Sequence, residues 1–200
     1  MVLLRGNHES RNISTVYGFY DEIAKKYGNH NVWNYFTDTF DYLPLAAVIE
    51  GEVFCVHGGL SPKRTTIDTI RTLERNVEIP PSGPICDLMW SDPEDDIEDW
   101  KPSSRMAGWL FGRKVVEEFE HLNEVKLIVR AHQLVQEGYK WHFNKHLVTV
   151  WSAPNYCYKM NNEAAILKIN SSFEKEFTVY GASEDNKKNV NYMQLLPYFL

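Results

Sequence analysis

Three short segments of this sequence share one layout, an apolar strand-like run that ends in a loop carrying histidine. They are residues 2–9 (VLLRGNHE), 53–59 (VFCVHGG) and 127–133 (LIVRAHQ). Loops at the ends of strands are where α/β folds place their ligands, and glycine beside a histidine lets backbone and ligand approach closely. The layout therefore indicates an α/β protein with a ligand site built from these loops.

The predicted elements change in character along the chain. Residues 1–5 are expected to end a strand, and helices are predicted over 14–27, 31–43, 66–76 and 112–122. Residues 45–49 and 53–56 have the pattern of a hairpin, and later strands are predicted over 126–130, 139–143, 147–151, 164–169 and 177–180. Residues 77–104, rich in Pro, Asp and Ser, predict a long surface excursion. Helices first and strands later favour a mixed α/β (α+β) fold, a β-sandwich flanked by helices.

Composition excludes several classes of partner. The 200 residues carry a net charge of −6, so we expect no nucleic acid as a main partner. No apolar run has the roughly 18 residues of a membrane span, so no membrane association is expected. Three widely spaced cysteines do not form a disulfide framework, which is typical of a reducing compartment. We therefore expect a cytoplasmic protein, with the nucleus as a second location.

Asn7, His57 and His132 are candidate metal ligands. Imidazole nitrogen is a common ligand for first-row metals, and an amide oxygen suits harder ions such as manganese and iron. The alternative for each histidine alone is a hydrogen-bonded structural residue at a strand end. Three loops of the same kind, with Asn7 next to a further histidine, favour the metal site. The spacing leaves the identity of the metal open.

Five motifs in order, LLRGNHESR, CVHGGLSP, LMWSDPED, RAHQLVQEGYKW and WSAPNYCY, resemble those of PPP-family serine/threonine phosphatases. The resemblance runs from residue 2 to residue 200. The terminal Tyr198-Phe199-Leu200 is similar to the type 2A, 4 and 6 subgroup, and AGWLFG, RTLERN and PYFL favour type 6. The resemblance implies that residues 1–180 are the C-terminal two-thirds of a calcineurin-like (metallophosphoesterase-type) catalytic domain, and that 181–200 form a C-terminal tail.

The same resemblance implies roles for particular residues of a site with two divalent metals, manganese or iron and zinc. The implied residues are Asn7, His57 and His132 as ligands of one metal, His8 as general acid, Arg105 and Tyr156 at the substrate phosphate, and Leu200 as a site of carboxyl methylation. The implied function is dephosphorylation of phosphoserine and phosphothreonine in proteins by metal-activated water. The implied partners are phosphoprotein substrates and the regulatory and scaffold subunits of the subgroup.

Two alternatives remain open at this stage. One is a non-catalytic module that binds phosphatase regulatory subunits, and the other is a metallophosphoesterase acting on small phosphodiesters. The motifs after His132 argue against the second, since they resemble the protein phosphatases specifically.

The sequence departs from the family pattern in several places. The family motifs GDxHG and GDxVDRG do not occur in these 200 residues. We therefore expect a chain incomplete at its N-terminus, with one metal half-site and no activity alone. Met106 replaces a family glycine and is expected to crowd Arg105. Residues 159–162 (KMNN) replace Arg-Cys-Gly-Asn. The acidic run 92–99 is interpreted as a solvated loop rather than a cation site.

Overall fold

The computed structural model describes residues 1–63 and 65–184. Within them the chain forms six α-helices: α1 Arg11–Val16, α2 Phe19–Tyr27, α3 Asn31–Phe40, α4 Ile67–Arg71, α5 Pro84–Trp90 and α6 Arg113–Asn123. The strands are β1 Ala46–Ile49, β2 Val53–Val56, β3 Asp92–Pro93, β4 Trp100–Pro102, β5 Trp109–Phe111, β6 Leu127–Arg130, β7 Glu137–His142, β8 Leu147–Val150, β9 Glu163–Ile169 and β10 Lys175–Tyr180. None of the helices in the described residues is long and apolar enough to cross a membrane. The predicted mixed α/β class is confirmed.

A seven-stranded sheet organises the molecule, with the strand order β1-β2-β6-β8-β7-β9-β10. β2, β6 and β8 run parallel to one another, with Cys55 beside Val129 and Arg130 beside Thr149. Parallel neighbours bring their carboxyl ends to the same edge of a sheet, and ligands bind there in open α/β sheets. The loops after β2, β6 and β8 therefore begin side by side. A smaller sheet has the order β3-β5-β4, and Asp92 of β3 bonds to Arg130 at the end of β6.

Apolar side chains alternate between the two faces of the large sheet. Phe54 and Ile128 point to a core shared with Leu88, Phe111 and Phe119 from α5, β5 and α6. On the opposite face lie Val53, Leu127 and Val148, together with Tyr139 stacked on Phe177 at 3.8 Å between ring centroids. Burial on both faces explains why these strands read as nearly continuous hydrophobic runs.

The structure confirms most of the predicted elements and changes the bounds of several others. The hairpin at 45–56, the helix over 112–122 and the strands after residue 126 are confirmed within a few residues. The helix predicted over 14–27 is two helices, because Gly18 adopts φ 93° at the start of α2. α1 begins earlier than predicted, since Ser10 caps it by accepting a hydrogen bond from Ile13 N. Residues 1–5 form no strand, and α4 ends at Arg71.

The surface excursion predicted over residues 77–104 is wrong. This segment contains α5, whose Ile85, Cys86, Leu88 and Met89 are all buried in the core. Gly83 precedes α5 at φ 97°, and Pro84 occupies its first turn. Proline is tolerated there because the backbone N–H groups of the first turn make no hydrogen bond within the helix. The Pro- and Gly-rich composition therefore marks the start of a buried helix.

Candidate active site

The three histidine-bearing loops meet at one edge of the large sheet. His57 directly follows β2 and His132 lies two residues after β6, with 5.1 Å between their ring centroids. Asn7, from the loop before α1, places its Oδ1 2.8 Å from His57 Nε2. Residues separated by 50 and 75 positions in the sequence thus form one cluster.

A cavity of about 290 Å³ opens beside this cluster. Its wall includes all six residues that the sequence nominated for the site within the described part of the chain: Asn7, His8, His57, Arg105, His132 and Tyr156. Sequence reasoning missed the rest of the lining, which consists of Tyr17, Trp90, Gln133, Leu134 and Trp151. Leu200 lies outside the described residues.

The two clustered histidines are held as neutral imidazoles. Burial lowers the pKa of His57 to about 3, and the positive charge of nearby Arg130 acts in the same direction. Burial likewise takes the pKa of His132 well below its ordinary value. Neutral imidazole is the form that binds a metal ion, because a ring nitrogen keeps its lone pair.

His132 carries an unsatisfied atom at the centre of the cluster. Among the described residues, His132 Nε2 is buried without a hydrogen-bond partner, and the nearest carboxylate oxygen, Asp92 Oδ1, is 4.0 Å away. A buried polar atom without a partner is uncommon and requires an explanation, such as an ion. His57 Nε2 and Asn7 Oδ1 face each other beside it. These three donors fit a divalent cation, although residues 1–63 and 65–184 contain no cluster of three or more His, Cys, Asp and Glu side chains able to hold one.

Glycines let the loop after β2 approach α5. A Cβ on Gly58 would lie 2.5 Å from the carbonyl carbon of Met89, and one on Gly59 would lie 2.3 Å from the Phe111 ring. The amides of Gly58 and Gly59 both donate to Leu88 O. Close backbone packing thus fixes the loop that carries His57.

A buried arginine organises the loop that carries Asn7 and His8. Arg5 is fully buried, and its guanidinium donates to Glu9 O, Val77 O and Asp41 Oδ1 at 2.8–2.9 Å. Glu9 Oε2 accepts from Gly6 N, which closes the turn. His8 lies against Tyr17, with ring centroids 5.3 Å apart, and burial lowers its pKa.

Asp92 is the most important residue of the site that the sequence interpretation missed. The acidic run 92–99 is not solvated throughout, because Asp92 is 2% exposed and joins two arginines. Its Oδ2 accepts from Arg105 Nε and its Oδ1 from Arg130 Nη2, each at 2.7 Å. Asp92 lies inside the motif LMWSDPED, and this position is the feature of the sequence that could have identified it as a site residue.

Met106 does not crowd Arg105. Its side chain is 87% exposed, so the predicted displacement of the arginine is wrong. Its backbone instead adopts φ 60°, a conformation that suits glycine. The cost of this methionine is therefore in the backbone, and Arg105 keeps its bond to Asp92.

Comparisons with known proteins identify the family of this chain. A family model of calcineurin-like phosphoesterases matches residues 1–136. The chain is 60% identical, over 191 residues, to the serine/threonine-protein phosphatase ppe1 of Schizosaccharomyces pombe, covering 95% of this chain and 62% of that protein. The chain thus spans less than two thirds of that relative's length. This protein belongs to the calcineurin-like phosphoesterase family.

A solved structure supports the same assignment. It is a protein serine/threonine phosphatase from Saccharomyces cerevisiae described as similar to human phosphatase PP5. The two chains superpose with a TM-score of 0.84 at 32% identity, over 92% of this chain and 61% of the other. The fold described above is therefore the metallophosphoesterase fold.

Proposed function

We propose that this chain carries the phosphate-binding and metal-binding residues of a metal-dependent protein serine/threonine phosphatase. The observation that supports it best is one cavity lined by both a three-donor cluster and an arginine. A cation bound by Asn7, His57 and His132 and the guanidinium of Arg105 would together attract a phosphate dianion. Relatives named as serine/threonine phosphatases favour a phosphoprotein as its source.

The donor set favours a half-site, meaning the ligands of one metal out of the two in a complete site. Asn7, His57 and His132 are neutral ligands, of a kind suited to manganese, iron or zinc. A second cation nearby would need carboxylates, and the carboxylate of Asp92 is already paired with two arginines. When bound, divalent metals activate water and polarise the phosphoryl oxygens. We propose that the described residues supply one metal's ligands and that activity requires further ligands.

The positions of His8 and Arg105 beside the cavity support this proposal. When phosphoserine is hydrolysed, the serine side chain leaves the phosphorus as an alkoxide. A proton donor at this leaving oxygen therefore accelerates the reaction by roughly 10²–10⁴-fold. His8 lines the cavity and, once protonated, is a stronger acid because burial lowers its pKa. Arg105 is held through Nε by Asp92, which fixes the plane of its guanidinium at the cavity wall.

Two measurements test the proposal. The first is the melting temperature with and without manganese, which should rise by several degrees in the wild type and not in His57→Ala or His132→Ala. The second is turnover of a phosphoserine peptide, with a small phosphodiester as the competing substrate. We compare the 200-residue chain with a version extended by a segment bearing GDxHG and GDxVDRG.

The extended version should hydrolyse the peptide, and His8→Ala should lower its kcat at least 100-fold, in line with loss of a general acid. The 200-residue chain should be at least 100-fold slower. Turnover by the short chain within tenfold of the extended one would overturn the half-site. A preference for the diester would overturn the substrate class. Peptide hydrolysis by neither version would favour a module that only binds regulatory subunits.

We also propose the type 2A, 4 and 6 subgroup, with type 6 nearest, and its regulatory and scaffold subunits as partners, in the cytoplasm and nucleus. The terminal Tyr198-Phe199-Leu200 supports this assignment. Carboxyl methylation of Leu200 would then remove one negative charge and alter partner choice. Intact mass spectrometry of the cellular protein would detect the added methyl group, and its consistent absence would contradict this part of the proposal.

A further inference from the structure

The loop between β8 and β9 holds Tyr156 in a strained backbone. Four of its residues that are not glycine, Asn155, Cys157, Tyr158 and Asn161, have φ between 46° and 59°. A left-handed backbone is disfavoured for residues other than glycine, most of all for Cys157 and Tyr158, so this conformation persists only where surrounding contacts impose it. Tyr156 itself lines the cavity and packs edge-on against Trp151, with 4.7 Å between ring centroids.

One buried side chain supplies three of these contacts. Asn162 is 3% exposed, and its Oδ1 accepts from Tyr156 N at 2.8 Å. Its Nδ2 donates to Ala153 O and to Glu163 O, and its own carbonyl accepts from Asn155 N at 2.9 Å. Asn162 therefore bonds to Tyr156 itself, to the backbone on the N-terminal side of Tyr156 and to the first residue of β9.

We propose that Asn162 is a positioning residue for substrate: it clamps the 155–162 loop so that Tyr156 forms one wall of the phosphate cavity. This inference rests on the proposed function for the role of Tyr156, whereas the clamp itself rests on the hydrogen bonds alone. Asn162 does not line the cavity, so its effect on substrate passes through Tyr156.

The clamp predicts a split between the two kinetic constants. Loss of Asn162 removes three side-chain hydrogen bonds, and the left-handed residues then relax toward ordinary conformations. Tyr156 would leave the wall, which weakens substrate binding before and during the reaction alike. The metal ligands and His8 belong to other loops and stay in place. We expect KM for a phosphoserine peptide to rise about tenfold and kcat to change less than threefold.

Asn170 provides a matched control at the opposite end of β9. Its Oδ1 accepts from Ser172 N and Glu174 N, so it organises a turn as Asn162 does. It does not line the cavity, and β9, seven residues long, separates the two turns by roughly 20 Å. A general effect of loosening an asparagine-held turn should appear in both variants, whereas the proposed role concerns Asn162 alone.

The test combines a rate of tryptic cleavage, which does not depend on enzymatic activity, with a double-mutant cycle of kinetic constants. Tryptic cleavage after Lys159, which is exposed in the loop, should be at least tenfold faster in Asn162→Ala and unchanged in Asn170→Ala. KM and kcat are measured in the version that hydrolyses the peptide, for Asn162→Ala, Tyr156→Ala and the double variant. If Asn162 acts through Tyr156, the double variant should have the KM of Tyr156→Ala. Should Asn162→Ala fail to fold, the isosteric Asn162→Asp removes the two amide donor bonds and carries the same expectations.

Unchanged tryptic cleavage in the Asn162 variant would overturn the clamp, whatever the activity. Faster cleavage with wild-type KM, or a tenfold KM effect that persists on the Tyr156→Ala background, would overturn the substrate role. Failure of every wild-type version to hydrolyse the peptide would overturn the proposed function and with it that role. The tryptic rates would still decide whether Asn162 holds the loop.

Discussion

Asp92 and Arg105 form an ion pair at the cavity wall, with 2.7 Å between Oδ2 and Nε. The other oxygen of the same carboxylate bonds to Arg130, which is fully buried. One carboxylate thus neutralises a buried arginine and orients a second arginine that lines the cavity. Stability and the proposed phosphate binding therefore share a single residue.

Replacing Asp92 should affect both properties. Asp92→Asn leaves Arg130 buried without its counter-charge, so we expect a loss of about 3 kcal/mol in the free energy of unfolding. It also weakens the charge-assisted bond that orients Arg105, so KM for a phosphopeptide should rise about tenfold. Urea unfolding and steady-state kinetics measure the two effects. Asp99→Asn, in the same acidic run but 63% exposed in its side chain, is the control and should change stability by less than about 0.5 kcal/mol.

A second prediction concerns Asp41, which bridges Arg5 and Arg11. Asp41→Asn removes the carboxylate that is ion-paired with the buried Arg5, and should cost about 3 kcal/mol of unfolding free energy. Asp38→Asn removes another partner of Arg11 at an exposed position and should cost less than about 0.5 kcal/mol. Urea unfolding compares the two variants. Equal losses would contradict a special role for the Arg5 pair.

A third prediction concerns the backbone at Met106. Glycine relieves the strain of φ 60° but adds freedom to the unfolded chain, so Met106→Gly should stabilise the protein by about 0.5–1 kcal/mol. KM should not change, because the methionine side chain points to solvent. Met106→Ala keeps a Cβ and should give no gain in stability. A lower KM in Met106→Gly would restore the idea that the methionine crowds Arg105.

The fourth prediction is a pH dependence of stability through His142. Burial lowers its pKa from 6.5 to about 4, although Asp95 beside it acts in the opposite direction. In the unfolded chain this histidine binds a proton near pH 6.5, whereas in the folded chain it binds one only near pH 4. The free energy of unfolding therefore falls as the pH falls from about 6.5 to about 4.

Between pH 7 and pH 5 this residue should account for about 2 kcal/mol of lost unfolding free energy. His142→Gln should therefore lose about 2 kcal/mol less than the wild type over the same interval, as measured by urea unfolding at both values. An identical pH dependence in the two proteins would show that His142 is free to protonate in the folded state.

Local pattern in the sequence was sufficient for much of the architecture. Alternating or continuous apolar runs predicted the hairpin of β1 and β2, and the 3.6-residue period predicted α6, because both depend on neighbouring residues. The motifs also nominated Asn7, His57 and His132, and all three line one cavity. The prediction is wrong at α5, where proline and glycine have the pattern of a loop but begin a buried helix.

The sequence by itself determined which chemical groups this protein has and which strand ends carry them. Only the tertiary structure decided which charges are buried and what they bond to. Asp92 reads as one carboxylate among several, and Asn162 as one of two adjacent asparagines, until the chain folds. The role of Asp92 comes from Arg130, a partner 38 positions away, and the role of Asn162 comes from the conformation that its own loop adopts in the folded chain. Periodicity and composition report on neighbours along the chain, whereas burial and ion pairing depend on contacts between distant segments.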